Sequence, residues 1–309
     1  MPNPYLDPQR IRAALRSLEL RPTRGMGQNF LCDEQALAAI IAAAELSPTD
    51  LVVEVGPGLG VLTWELTRRA GRVIAVELDR RLAARLRDEF PAAPLDIIEA
   101  DILNLAPDDL LAATTEQLPP DTLAQAAAPG QPAVGNAPSY KLVANLPYAI
   151  TSAVLRHFLE AAQPPALSVV LVQLEVAQRI TAAPGDLSVL AHAVQIYAEP
   201  TLEAKVPAAS FYPVPAVDSA VLRLRRRARL AVEVDSVDRL FRVIKAGFLH
   251  ARKQLGNALP GGLAALGHQI PREQTQAALS AAGIDPQRRA ETVTLAEWAQ
   301  VYAALRSVL

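Results

Sequence analysis

With one cysteine, Cys32, in 309 residues, the chain has no internal disulfide to form. The four histidines, His157, His192, His250 and His268, share no metal-ligand spacing, which argues against zinc chemistry. No apolar run reaches the roughly 18 to 20 residues that would cross a bilayer; the longest near the start, LAAIIAAAEL, stops at ten. The opening MPNPYLDPQRIRAALRSLEL mixes arginines with acids and has no apolar signal core, so a soluble, cytoplasmic protein is expected. Lysine is scarce, four against 26 arginines, and no sign of charge dominates, the net charge being −2. Taken over the whole chain that balance argues against a nucleic-acid partner, because phosphate binding needs a basic surface.

The distribution of charge reverses that inference. Residues 106–139 hold Asp108, Asp109, Glu116 and Asp121 and no base, while residues 223–259 hold ten arginines and lysines against three acids. The length suggests two domains, and 51% hydrophobic with 20% charged residues is a globular composition. Five short apolar, β-branched runs, LVVEV (51–55), RVIAVEL (72–78), LDIIEA (95–100), KLVAN (141–145) and LSVVLVQ (167–173), alternate with helix candidates at 59–70, 79–89 and 151–162. Strands apolar on both faces and separated by helices predict a parallel sheet covered on both sides, a doubly wound α/β domain. AVQIYAEP and DSAVLRLRRR are candidates for added antiparallel strands. From about residue 229 the pattern turns helical, ending in TLAEWAQVYAALRSVL, which opens with a Thr294/Glu297 capping box. The boundaries expected are 1–228 and 229–309, with residues 106–139, rich in Ala, Pro and Gln, read as a mobile surface insert.

The first strand runs into EVGPGLGVL, placing Gly56, Gly58 and Gly60 ahead of a helix. In open α/β sheets ligands bind beyond the carboxyl ends of strands, and glycine lets backbone approach them. The spacing is not that of pyrophosphate binders, and taken alone the glycines are better explained by tight helix-strand packing. The second strand ends in Glu77, where an acid can accept from ribose hydroxyls, and the third in Asp101, which could accept from an adenine amine. Gly, Glu and Asp in order at three strand ends indicate a nucleoside without a pyrophosphate, which points to S-adenosyl-L-methionine. The fourth strand closes on NLPY at the same rim. Methylating a planar amine calls for oxygen acceptors that favour the charge growing on nitrogen. The Asn145 oxygen and the Leu146 carbonyl can supply them, with Pro147 fixing the turn and Tyr148 offering a ring to an extruded base.

These motifs resemble the ribosomal RNA adenine N6,N6-dimethyltransferases. The resemblance runs through GQNFL (27–31), EVGPGLGVLT, EADIL, NLPY, LEVAQRI (174–180), SFYPVPAVDS (210–219), ARKQLGNAL (251–259) and RAETVTLAEW (289–298). It implies a Rossmann-like methyltransferase domain followed by a small all-helical RNA-binding domain. The implied reaction is dimethylation of two adjacent adenosines in the 3′-terminal hairpin of small-subunit (16S) rRNA in a pre-ribosomal particle, by a monomer without a membrane partner. It further implies cofactor contacts at Asn29, Leu31, Gly56, Gly58, Glu77, Asp101 and Asn145, and a base flanked by Tyr148 and Phe211. The basic run makes Arg225, Arg226, Arg227, Lys245, Arg252 and Lys253 the candidates for RNA contact. Leu174 stands where the family often has lysine, and the loop at Pro184–Gly185 is short. The competing readings are a large-subunit rRNA adenine N6-methyltransferase of the antibiotic-resistance type, which Leu146 disfavours, and a non-catalytic RNA-binding assembly factor, which the retained acids and NLPY disfavour.

Overall fold

A computed structural model describes residues 3–20, 29–115 and 139–309. Its strands are β1 (Phe30–Leu31), β2 (Leu51–Val55), β3 (Arg72–Glu77), β4 (Leu95–Glu99), β5 (Tyr140–Asn145), β6 (Leu167–Gln173), β7 (Ala198–Val206), β8 (Phe211–Tyr212) and β9 (Ser219–Arg226). The helices are α1 (Pro8–Ser17), α2 (Glu34–Ala44), α3 (Val61–Leu66), α4 (Arg80–Glu89), α5 (Pro107–Thr115), α6 (Thr151–Leu159), α7 (Leu174–Ile180), α8 (Val189–Gln195), α9 (Val237–Phe248), α10 (Leu255–Ala265), α11 (Arg272–Ala281) and α12 (Leu295–Leu305). Among the described residues no helix is long and apolar enough to cross a membrane.

Seven strands form one sheet in the order β4-β3-β2-β5-β6-β9-β7, and β1 pairs with β8 in a separate two-stranded ribbon. The pairs joining β4 through β6 are parallel, and β9 returns antiparallel to β6. The five strands expected from β-branched runs are these parallel ones, each within a residue of its predicted start. Covering both faces buries the central strands: every residue of β2 is buried, as are Val73, Ile74, Ala75 and Val76 of β3, whereas the edge strand β4 is only half-buried. One face packs on Leu37 and Ile40 of α2 and on Leu62 and Leu66 of α3. Strand order reverses between β2 and β5, so their carboxyl ends diverge and leave a crevice where an open α/β sheet takes its ligand.

The chain divides into two compact units, residues 1–177 with 199–228, and residues 178–198 with 229–309. The second unit is helical. Its core joins Leu240 and Ile244 of α9 to Leu259 and Leu263 of α10, Leu279 of α11, and Trp298 and Tyr302 of α12. The Thr294/Glu297 capping box forms as expected, closing the first turn of α12.

Three expectations need correction. AVQIYAEP does not start a strand: its first residues finish α8 and the strand starts at Ala198. Residues 178–198, expected in the first domain, belong to the second unit, where the backbone N–H groups of Gly185 and Leu187 both donate to the Glu291 carbonyl. The segment read as a mobile insert from 106 begins with α5, whose Leu110 and Leu111 are 3% and 0% exposed. A deletion starting at residue 110 would therefore remove core. Residues 116–138 of that segment lie outside the described ones, as do Gly27 and Gln28 of GQNFL.

Candidate active site

The crevice gathers Asn29, Leu31, Gly56, Gly58, Glu77, Asn145, Leu146, Pro147 and Tyr148. Two expected residues are absent from its lining. Asp101 caps a 3-10 turn, its Oδ1 accepting the Leu103 N–H at 3.0 Å. Phe211 pairs with Leu31 across the β1–β8 ribbon and is 2% exposed, its ring covered by the apolar core rather than offered to a base. An aromatic with core neighbours on every side gains more from burial than from a wet rim.

Beyond β2 the backbone enters the left-handed region at Gly56 (φ 66°), Gly58 (φ 59°) and Gly60 (φ 86°), which side-chain-bearing residues rarely adopt. A Cβ at Gly60 would come within 2.9 Å of the Phe90 ring, so close packing explains this third glycine. The turn delivers the Gly58 N–H to Glu77 Oε2 at 3.0 Å, while Oε1 accepts the Asp79 N–H at 3.0 Å. Burial raises the Glu77 carboxyl above its ordinary range, and these two donors oppose the shift.

Asn145 ends β5, and its Nδ2 donates to the Asn29 carbonyl at 3.0 Å. A carbonyl can only accept, so the amide nitrogen must face Asn29, and Oδ1 is left as an acceptor on the crevice side. Asn29 is held by the ribbon that follows it: the Cys32 N–H donates to the Ser210 carbonyl at 2.8 Å and Ser210 Oγ to Asp33 Oδ2 at 2.6 Å. Asp33 Oδ1 in turn caps α2 by accepting from Gln35 and Ala36. Leu146 is buried, and its N–H donates to the Leu171 carbonyl, extending the β5–β6 pairing by one residue. The Pro147 carbonyl accepts from the Ile150 N–H and from Thr151 Oγ1, fixing the turn that presents Tyr148.

The Tyr148 hydroxyl lies 2.7 Å from Ser219 Oγ, and Ser219 is fully buried. Reasoning from the ring alone predicts that Tyr148→Phe is mild. The structure argues otherwise, since the change strands the Ser219 hydroxyl and frees the ring. We expect Tyr148→Phe to lose about 1 to 3 kcal/mol of stability, as an orphaned buried hydroxyl does, together with turnover. Adding Ser219→Ala should recover much of the stability in thermal melts and none of the turnover.

Pattern reading missed Glu54. It is fully buried on β2, lines the crevice, and accepts from Thr63 Oγ1 at 2.7 Å. Burial pushes its carboxyl up to about 8, opposed by the Thr63 hydrogen bond and reinforced by the Glu77 charge. The available signal was an acid inside LVVEV, because glutamate is almost never fully buried without a partner.

The candidate RNA contacts divide between the units. In the first, Arg225 pairs with Glu45 at 2.6 Å and Arg227 with Glu199 at 2.8 Å, and Arg226 reaches the Pro164 carbonyl. Local acids already offset the first two. In the second unit Lys245, Arg252 and Lys253 are exposed, and no ion pair among the described residues includes them.

A hydrogen-bonded amide aimed into a switch-point crevice, beside an anchored acid and a half-buried ring, suits the methylation of a planar amine. The model of the ribosomal RNA adenine dimethylase family matches residues 21–307. The chain belongs to that family. A ribosomal RNA small subunit methyltransferase A of Dehalococcoides mccartyi is 46% identical over 90% of this chain and 87% of its own. Its counterpart in Moorella thermoacetica is 42% identical over 97% and 98%. Among solved structures, the 23S rRNA methyltransferase ErmE is 31% identical with a TM-score of 0.63, covering 90% of this chain and all of its own. A dimethyladenosine transferase of Plasmodium falciparum, 21% identical over 90% and 98%, has a TM-score of 0.69 and shares the fold. Family membership and the doubly wound methyltransferase fold make the protein an rRNA-modifying methyltransferase.

Proposed function

We propose that the protein dimethylates the N6 amines of two adjacent adenosines in the 3′-terminal hairpin of small-subunit (16S) rRNA, using S-adenosyl-L-methionine, on a pre-ribosomal particle in the cytoplasm and as a monomer. The observation that carries this reading is Asn145, whose Nδ2 is committed to Asn29, so that Oδ1 is the atom offered to a ligand. The crevice suits the cofactor, because its lining includes two carboxylates and, among the described residues, no basic side chain. Asn29, Gly56, Gly58 and Glu77 would hold it. When bound it supplies an electrophilic methyl group on a sulfonium.

The residues themselves perform three tasks. Glu77, anchored by two backbone donors, keeps lone pairs for hydroxyl groups. Asn145 Oδ1 and the Leu146 carbonyl accept the hydrogens of the target amine, which stabilises the positive charge that nitrogen gains as its lone pair is used. Tyr148, held by Ser219, gives the extruded base a face on which to stack. The apolar lining from Ile40, Leu62 and Leu82 restricts water.

The reading is tested by tritiated methyl transfer to unmethylated small subunits, large subunits and duplex DNA. Small subunits should be the preferred acceptor, with dimethyladenosine as the product. A preference for large subunits would favour the antibiotic-resistance reading, although identity is higher to the small-subunit relatives, 46% against 31%.

RNA contact is assigned to Lys245, Arg252 and Lys253 of the helical unit, which no ion pair among the described residues includes, ahead of the arginines at the end of β9. Reversing charge at Arg252 and Lys253 should weaken subunit binding and lower its salt slope by about one unit per lost phosphate contact. Reversal at Arg225, already paired with Glu45, should do less. Filter binding at several salt concentrations measures both, and an unaltered slope for the first pair would remove it from the interface.

A further inference from the structure

Glu54 has no task in the mechanism above, and its surroundings make it unusual. The carboxyl lines the crevice, is 1% exposed and accepts one hydrogen bond, from Thr63 Oγ1. An ionised carboxylate so placed would need a cation, and none is supplied. From β3 the group facing it is another acid, Glu77; the rim beyond β5 contributes Asn145 and Tyr148; α2 and α4 contribute Ile40 and Leu82. Among the described residues no arginine, lysine or histidine lines the crevice. Two buried carboxylates with no basic side chain lining the crevice are costly to ionise together, so one takes up a proton or a cationic ligand supplies the missing partner.

The two acids are not equivalent. Glu77 accepts backbone N–H bonds on both oxygens, which favours its ionised form. Glu54 has one hydroxyl donor to offset full burial, and burial pushes it up to about 8, which favours its protonated form.

We propose that Glu54 is a proton-linked recognition residue: it stays neutral while the crevice is empty and gives its proton to solvent when the cationic end of the cofactor binds. The inference rests on the cofactor reading above and deepens it. The O–H bond of Glu54 breaks, the proton passes to buffer, and the carboxylate that remains neutralises the positive charge now beside it. A crevice that ionises on demand avoids holding a bare buried charge, and it selects cationic ligands over neutral nucleosides. The charge recognised could be the α-ammonium or the sulfonium.

Titration calorimetry at pH 7.0 in buffers of different ionisation enthalpy counts the protons exchanged. With S-adenosylmethionine the full-length protein should release close to one proton per site, about what a carboxyl ionised by a partner yields. Affinity should rise by close to tenfold from pH 6 to pH 7, because the site must lose a proton to bind. Glu54→Gln, a neutral isostere of the protonated acid, should remain folded in thermal melts, bind with little dependence on pH and release no proton. S-adenosylhomocysteine keeps the ammonium and lacks the sulfonium. Release with both ligands assigns the ammonium, and release with S-adenosylmethionine alone assigns the sulfonium. Binding by the unaltered protein without proton release overturns the proposal while leaving the cofactor reading intact. Release that persists in Glu54→Gln overturns it too, the proton then belonging to another group such as Glu77. Absence of binding removes both readings.

Discussion

Asn145→Ala is expected to lower turnover by on the order of 10²-fold or more, the usual loss when one preorganised polar partner is removed from a transition state. Two features of the structure sharpen that expectation. The side chain is orientated before any ligand arrives, through Nδ2 to the Asn29 carbonyl, so the acceptor needs no rearrangement. The same bond joins β5 to the β1 end of the chain, so its loss also loosens Asn29, and cofactor affinity should fall with turnover. Asn145→Asp is not a rescue, because a carboxylate oxygen would face the Asn29 carbonyl. RNA affinity should be nearly unchanged. The second methylation is the stricter test: a monomethylated amine has one hydrogen left to share between Asn145 Oδ1 and the Leu146 carbonyl, so weakened variants should accumulate monomethyladenosine. Mass spectrometry of product nucleosides decides it, and dimethyladenosine formed at the normal rate by Asn145→Ala would sink the mechanism.

Glu77→Ala should weaken S-adenosylmethionine binding by about 10- to 150-fold, the equivalent of losing charge-assisted hydrogen bonds worth roughly 1.5 to 3 kcal/mol. The fold should suffer as well, since both carboxylate oxygens accept backbone N–H groups, from Gly58 and Asp79, that the variant leaves without partners. Glu77→Gln should be no gentler. Its amide nitrogen would have to face one of those two N–H donors, turning a hydrogen bond into a repulsion. Calorimetry should show the loss of cofactor affinity, thermal melts the loss of stability, and filter binding an RNA affinity close to normal. Unaltered cofactor affinity in Glu77→Ala would take this acid out of the site.

The parallel strands and the crevice at their ends were legible in the sequence because each depends on local pattern. LVVEV, KLVAN and LSVVLVQ carry consecutive apolar, β-branched residues rather than a strict alternation, which is what burial on both faces of a sheet selects, and β2, β5 and β6 lie where those runs fall. Gly56, Glu77 and Asn145 were legible for a related reason, since a strand end is a place that chain order alone can locate. The Thr294/Glu297 cap is more local still, three residues apart. What the pattern could not give depends on partners distant along the chain. The helical unit takes residues 178–198 because Gly185 and Leu187 bond to Glu291, more than a hundred residues on. Phe211, an aromatic among small residues and prolines, reads by itself as core and as a stacking ring only through the family resemblance, and in the fold it pairs with Leu31 and is buried. Arg225 and Arg227 read as free cations until Glu45 and Glu199 were brought against them. The state of Glu54 turns on a count no linear pattern contains: one donor from Thr63, one neighbouring acid, and no cation lining the crevice among the described residues. Residue type and order determined which groups reach the rim of the sheet. The tertiary structure decided which of them are covered, paired or left with a lone pair to offer, because burial and electrostatic partnership are properties of the surroundings rather than of the residue.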